Sequence, residues 1–365
     1  MQAEPCGFDR RTRHDLADSA CARFPFRHGN HHVRFESLTN GGIGSGRSRN
    51  RAIFRTYRLI TLRILGSAAG GGFPQWNCNC DNCRGVRAGT LQAWPRTQSS
   101  ISVRGRDPSA WALINTSPEI LSQLASNPDL QPGRELRDTG IKALALTDSQ
   151  IDHTTGLLML REARRSWPLW CTDSVFEDLS GGNPLLNLLQ HYCGVNRQRI
   201  AIDGEWFTMD GIDDVRWQAV PVHGKAPPYS RKREAPAAGD VIGLTIEHVE
   251  SKRRIFYAPG LADIESHVWE RMQRADCVLV DGTFWTDDEM LRRGVGSKTA
   301  ASMGHLPQSG ENGMIAWLDR LSPATRRVLI HINNTNPILV ENSVERAVLA
   351  AHGIEVAYDG MEIVL

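Results

Sequence analysis

The sequence has no apolar run approaching the roughly 18 residues needed to span a bilayer, and its N-terminus has no apolar core of the kind a secretory signal carries. Both absences make the cytoplasm the expected location. Net charge is nearly absent as well: 42 Lys and Arg stand against 41 Asp and Glu, leaving +1. Such a balance supplies no field for holding nucleic acid or for steering to a membrane. A disulfide framework is missing too. Of the eight cysteines, Cys78, Cys80 and Cys83 crowd into one short stretch, while Cys6, Cys21, Cys171, Cys193 and Cys277 are scattered. Paired bridges staple small secreted domains, whereas clustered cysteines in a long cytoplasmic chain suggest a metal. What is there, 41% apolar and 23% charged residues, is the composition of a soluble globular protein.

The chain divides by composition near residue 57. Residues 1–57 are rich in Arg (Arg10, Arg11, Arg13, Arg47, Arg49, Arg51), contain no Lys, show no sustained apolar period and include the linker-like Gly41-Gly42-Ile43-Gly44-Ser45-Gly46. They read as a disordered or non-native N-terminal extension rather than an Arg-rich targeting arm. Residues 58–365 read as one domain. Strand composition marks Leu59–Leu65, Trp111–Asn115, Ile141–Thr147, Leu169–Thr172, Val215–Val222, Val241–His248, Arg254–Ala258, Cys277–Asp281 and Arg327–His331, with short closing strands around Val356 and Ile363. Helical periodicity falls at Pro118–Ala125, Thr155–Arg164, Leu261–Arg274, Gly313–Leu321 and Val340–His352. Strands also follow one another directly, as at Val241–Ala258, so a layered α+β sandwich fits better than a doubly wound sheet. The Pro-containing stretch Gly224–Gly239 reads as a mobile surface loop.

Cys78-Asn79-Cys80-Asp81-Asn82-Cys83 places three thiolates in one tight turn. A structural zinc takes four ligands, so three from one loop call for a fourth from elsewhere. Asn334, or another residue near His331, is the candidate. A redox C-x-x-C is the alternative; the third cysteine and the lack of a thioredoxin-like context count against it. Three further polar clusters end apolar strands: Asp148-Ser149-Gln150-Ile151-Asp152-His153, Val280-Asp281-Gly282-Thr283, and Ile330-His331-Ile332-Asn333-Asn334. Strand ends are where α/β folds collect catalytic groups. Each cluster alone reads equally well as a capping Asp or a hydrogen-bonded buried His.

These residues carry a resemblance. From Leu59 to Leu365 the chain resembles the coenzyme PQQ synthesis protein B family, in the runs Leu65–Cys80, Asp148–Leu158, Phe256–Leu261, Leu279–Thr283 and His331–Pro337. That family lies in the metallo-β-lactamase superfamily, which implies an αββα four-layer sandwich with metals at one edge of two sheets. The superfamily pattern H-x-H-x-D-H falls on Asp148 to His153, so Asp148 and Gln150 stand where the first metal's histidines would be. Asp152 and His153 keep the second metal's ligands, and His331 stands at the last superfamily histidine. The bridging aspartate expected near Ala258-Pro259-Gly260 is absent, and His223 is the candidate remnant of the middle histidine. A binuclear hydrolase site is therefore not expected.

Asp152, His153 and His331 are two histidines and a carboxylate with open positions, the facial set of non-haem Fe(II) oxygenases; zinc also fits such a set. The resemblance tips the choice to iron, because the family is similar to enzymes that hydroxylate the tyrosine ring of a cross-linked glutamate–tyrosine on the way to pyrroloquinoline quinone (PQQ). Asp281, a strand-end acid, is a candidate further ligand or an orienter of a ligating His. His305 resembles an extra active-site histidine of related phosphodiesterase-type members and reads as a proton shuttle or a loop residue. Arg96 with Ser99 and Ser100 is expected to face substrate carboxylates, Arg being the natural carboxylate clamp. The expected partners are this small precursor and O2, with no nucleic acid and no membrane span, and a homodimer is left open. Two rival functions remain: a carrier for moving PQQ or its precursor to the periplasm, and a metal-dependent hydrolase of a pathway intermediate.

Overall fold

The computed structural model describes residues 60–365, so the expected extension at 1–57 lies outside the described residues. Fourteen strands form two seven-stranded mixed sheets. The first sheet holds β1 (Thr61–Gly66), β2 (Ser100–Arg104), β3 (Trp111–Ile114), β4 (Ile141–Ala145), β5 (Trp167–Cys171) and β6 (Val195–Arg199), with β14 (Glu362–Val364) antiparallel to β1 at its edge. The second holds β7 (Trp206–Thr208), β8 (Val215–Pro221), β9 (Ile242–His248), β10 (Arg254–Ala258), β11 (Cys277–Asp281), β12 (Arg326–Ile330) and β13 (Ile354–Val356), in that spatial order. In each sheet one half is antiparallel and the other parallel, with β3 to β6 and β10 to β13 running parallel.

Three apolar layers follow from the strand alternation. Leu62, Ile64, Ile101, Trp217, Leu244, Tyr257, Leu279 and Val328 fill the space between the sheets. A second layer, including Phe256, Val278, Val280, Val268 and Leu318, packs helices on the outside of the second sheet. A third, including Trp111, Leu113, Leu144, Leu157 and Val175, does the same for the first. The result is the αββα four-layer arrangement that the resemblance implies. Each of these large side chains contributes about 1.5–3 kcal/mol by leaving water. Among the described residues no helix is long and apolar enough to cross a membrane.

Three strands escape the pattern reading for identifiable reasons. In β2 the buried Ser100 and Ser102 look like loop composition, while β6 and β7 are half-exposed edge strands with no clean apolar alternation. The helices Asp81–Arg87, Asp173–Ser180 and Leu185–Leu189 are also additional. The helix expected at Leu261–Arg274 is only Ser266–Gln273, and the Leu261 backbone N–H ahead of it donates to the Asp281 carboxylate at 3.0 Å. Thr155–Arg164 likewise contracts to Gly156–Met159, and Val340–His352 to Val344–Ala351, where Ser343 accepts from the Arg346 N–H as N-cap.

The two sheets are joined at one edge. The Ile242 N–H reaches the Thr147 carbonyl, and the segment after β1 pairs with the segment after β12 through Ile332 N–H to Ser67 and Ala69 N–H to Ile332, each at 2.9 Å. This seam brings together the turns that follow β1, β4, β11 and β12.

Candidate metal centres

His153 is buried on the short turn of helix Ile151–Thr154 that follows β4. Its Nδ1 lies 2.9 and 2.8 Å from the two Asp148 carboxylate oxygens. Its Nε2 is buried without a hydrogen-bond partner and lies 3.9 Å from the Asp152 carboxylate. His331 ends β12 with φ of +60°, a left-handed conformation uncommon for a side chain of this size. That turn brings its Nε2 to 3.3 Å from Asp152. One ligand atom from each of Asp152, His153 and His331 lies within 4.8 Å of the others. Burial opposes the charged form of His153, but Asp148 and Asp152 outweigh it and push the imidazole pKa up to about 9. Burial also opposes ionisation of Asp152, yet His153 and His331 hold its carboxyl well below the usual range.

Asp281, His305 and His331 form an adjoining group that shares His331. Asp281 is fully buried; its Oδ1 accepts from the Thr283 N–H and hydroxyl, and its Oδ2 accepts from the Leu261 N–H and lies 2.6 Å from His305 Nδ1. Its carboxylate is thus saturated from within the protein and orients neighbours. Thr283 Oγ1 is also 2.9 Å from His331 Nδ1. An ionised carboxylate only accepts, so Asp281 takes the hydroxyl proton and Thr283 can accept from the His331 Nδ1–H, which leaves the Nε2 lone pair toward Asp152. His153 and His331 therefore each have one nitrogen fixed by a neighbour and the other facing the same point.

The two positions where the superfamily has its first-metal histidines are engaged elsewhere. Asp148 is bound to His153 Nδ1 and to the Gln150 N–H, and Gln150 Nε2 donates to the Lys225 carbonyl at 2.7 Å. His223 is exposed and turns to Asp263 (2.9 Å) and Glu265 (3.4 Å), forming a surface ion-pair group. At Gly260 a Cβ would meet nothing within 4 Å, so the place of the missing aspartate is open space. A cavity of about 290 Å³ lies over the cluster, lined by Gly70, Asp152, His153, Gly260, His305 and His331 among others.

Arg96, Ser99 and Ser100 do not line that cavity, against expectation. All three are buried; Arg96 donates to the Ala357 carbonyl and lies by Asp359, so it ties the loop before β2 to the chain end. Gly224–Gly239 is irregular, as expected, but anchored: Ser230 Oγ donates to Asp178 at 2.7 Å and the Tyr229 hydroxyl to the Ser149 carbonyl. It forms part of the cavity wall, and sequence reading missed its Lys225 and Arg233 because their neighbours looked like a solvated loop.

Cys78, Cys80 and Cys83 converge at the start of helix Asp81–Arg87. The Asn334 side-chain amide nitrogen lies 3.1, 3.6 and 3.3 Å from their sulfurs. Which amide atom faces the sulfurs is set by what they hold, an N–H toward bare sulfur and the oxygen toward a cation. Burial pushes the Cys80 thiol up to about 12, while donors from Cys80, Cys83 and Asn334 outweigh burial at Cys78 and lower it. Three adjacent thiolates need a cation to ionise together.

Residues 110–332 match the model of the beta-lactamase superfamily domain. The chain is 61% identical over 306 residues to coenzyme PQQ synthesis protein B of Azoarcus sp. (strain BH72), spanning 84% of this chain and 100% of that protein. It is 58% identical over 307 residues to the protein of the same name from Cupriavidus necator, with coverage of 84% and 100%. Among solved structures it resembles Zn(2+)-bound PqqB from Methylobacterium extorquens, with a TM-score of 0.76, 40% identity, and coverage of 84% of this chain and 100% of that one. A diphosphatase from the PhnP family shares the fold at 18% identity and a TM-score of 0.58, covering 84% and 97%. The chain belongs to the coenzyme PQQ synthesis protein B family of the metallo-β-lactamase superfamily.

Proposed function

We propose that this protein hydroxylates the tyrosine ring of a cross-linked glutamate–tyrosine precursor of PQQ, with one Fe(II) held by Asp152, His153 and His331. The observation that carries this reading is the buried, unpartnered Nε2 of His153, which lies beside the Asp152 carboxylate that His331 Nε2 also approaches. A buried nitrogen without a partner costs about 1–3 kcal/mol unless something else satisfies it. Two imidazoles and one carboxylate leave positions open, which is the donor set of mononuclear iron oxygenases. Bound there, Fe(II) would supply O2 activation, which redox-inert zinc does not.

The chain's own residues supply the rest. Asp148 and Thr283 hold the two histidines in the tautomer that presents Nε2. With His305 Nδ1 committed to Asp281, its Nε2 is the ring atom able to take the phenol proton of a tyrosine ring in the cavity. A cavity of about 290 Å³ suits a cross-linked pair of amino acids and not a folded peptide. One oxygen atom enters the ring and the other leaves as water, at the expense of two electrons from an added reductant. The three cysteines and Asn334 are the proposed ligands of a separate structural zinc.

His331→Ala tests the assignment. Iron content and O2-dependent mass gain on the cross-linked precursor should vanish together, while one zinc per chain remains. Iron retained at the wild-type level would remove His331 from the site.

A further inference from the structure

Apart from the aspartates and histidines, the charged side chains lining the cavity are Lys225 and Arg233. Among the described residues neither forms an ion pair. The Lys225 ammonium gives one hydrogen bond, to the Ser302 carbonyl at 2.9 Å, and the Arg233 guanidinium gives one to the Ala226 carbonyl. An ammonium has three donors and a guanidinium five, so most are unspent. We propose that Lys225 and Arg233 read two of the carboxylates of the ligand, which makes them the residues that select a small aromatic polycarboxylate for this cavity. The inference rests on the function proposed above.

The segment that carries them is fixed in place. Gln150 holds the Lys225 carbonyl, Asp178 holds Ser230, Ser149 holds Tyr229, and Thr172 Oγ1 donates to the Gly239 carbonyl at 2.7 Å. At Gly304 a Cβ would stand 3.0 Å from the Lys225 nitrogen, so the turn leading to His305 packs directly on the Lys225 backbone. Cations on a braced wall lose little freedom when a ligand arrives. Charge also points to the ligand. The cavity's aspartates face histidines, whereas Lys225 and Arg233 form no ion pair among the described residues, which leaves their two positive charges to a ligand. Two carboxylates compensate them, and the open space at Gly260 leaves room for the ring beside the histidines.

The test uses the full chain loaded with zinc, which keeps the site redox-inert, and PQQ as the carboxylate-bearing probe in calorimetric titrations. Lys225→Met and Arg233→Met should each weaken PQQ binding about tenfold, a charged hydrogen bond being involved in each. Metal content should stay unchanged. Lys225→Arg should retain most of the affinity, and the fall of wild-type affinity with salt should flatten in the double variant. Because Arg233 also holds Ala226, Lys225→Met carries the test if Arg233→Met does not fold. PQQ affinity unchanged in Lys225→Met would overturn the proposal. So would inorganic phosphate competing with PQQ at equal affinity, which would make the wall a general anion site. The two readings fail separately. Loss of PQQ binding in the variants, with no hydroxylation by the iron-loaded wild type, leaves this inference standing and removes the oxygenase; hydroxylation with PQQ binding unaffected does the reverse.

Discussion

Asp148 shows how one side chain takes a new partner at an inherited position. Where the superfamily has a metal-binding histidine, this chain has a carboxylate that faces the neighbouring His153 and fixes its ring. Orienting groups of this kind are worth about 10–100-fold in metal affinity. Asp148→Asn, titrated with Fe(II) against a competing chelator, should therefore bind at least about tenfold more weakly, with the cysteine-bound zinc unaffected. Thr283→Val should act in the same direction through His331, whereas Thr283→Ser should restore affinity because it returns the hydroxyl. Equal affinities in Thr283→Val and the wild type would mean that His331 needs no such support. That Asp152, His153 and His331 come together was legible through the family resemblance, since each cluster alone also fits a capping Asp or a buried His. The partners were not: sequence names Asp148 as a lost histidine, and only the fold shows that it binds His153.

At the scale of elements, the strands that pack on both faces were legible where they are continuous apolar runs, as in β11. Edge strands such as β6 were not, since water on one side removes the pattern. That the three cysteines share one turn was legible, but the position of Asn334 over their sulfurs depends on the seam between the sheets. Zinc there would staple the start of helix Asp81–Arg87 to the segment after β12, where Asn82 also donates to the Asn334 and Asn336 carbonyls. Cys80→Ser should lose that zinc and roughly 2 kcal/mol or more of stability, read by metal analysis and thermal melting. A full complement of zinc in this variant would exclude the site. The segment 224–239 was read as mobile, and its anchor explains the difference. Asp178 accepts from Ser149 at 2.8 Å and from Ser230 at 2.7 Å, so Asp178→Ala strands two buried hydroxyls at a cost of about 1–3 kcal/mol. Backbone hydrogen exchange across 224–239 should accelerate in that variant; unchanged protection would show that the wall is held by other contacts.

For the whole molecule, the described residues contain both sheets, the cysteine turn and the histidine–aspartate cluster, and 84% of the chain covers the full length of the Azoarcus relative. We therefore expect deletion of residues 1–57 to leave the melting temperature and the metal content unchanged, and a truncated chain that cannot fold would move the boundary. The fold itself serves hydrolases as well as this family, so architecture does not choose the reaction. The choice rests on the donor set and on a first metal site whose positions are engaged elsewhere, with Asp148 on His153 and Gln150 on Lys225. One measurement bears on that choice directly: the same full-length protein loaded at Asp152, His153 and His331 with Fe(II) or with Zn(II), each given the cross-linked glutamate–tyrosine with and without O2, and read by mass. The account predicts a gain of one oxygen atom in the Fe(II) sample with O2 and a reductant, and no change in the other three. Conversion of the substrate by the Zn(II) protein without O2 would contradict it and make the site hydrolytic.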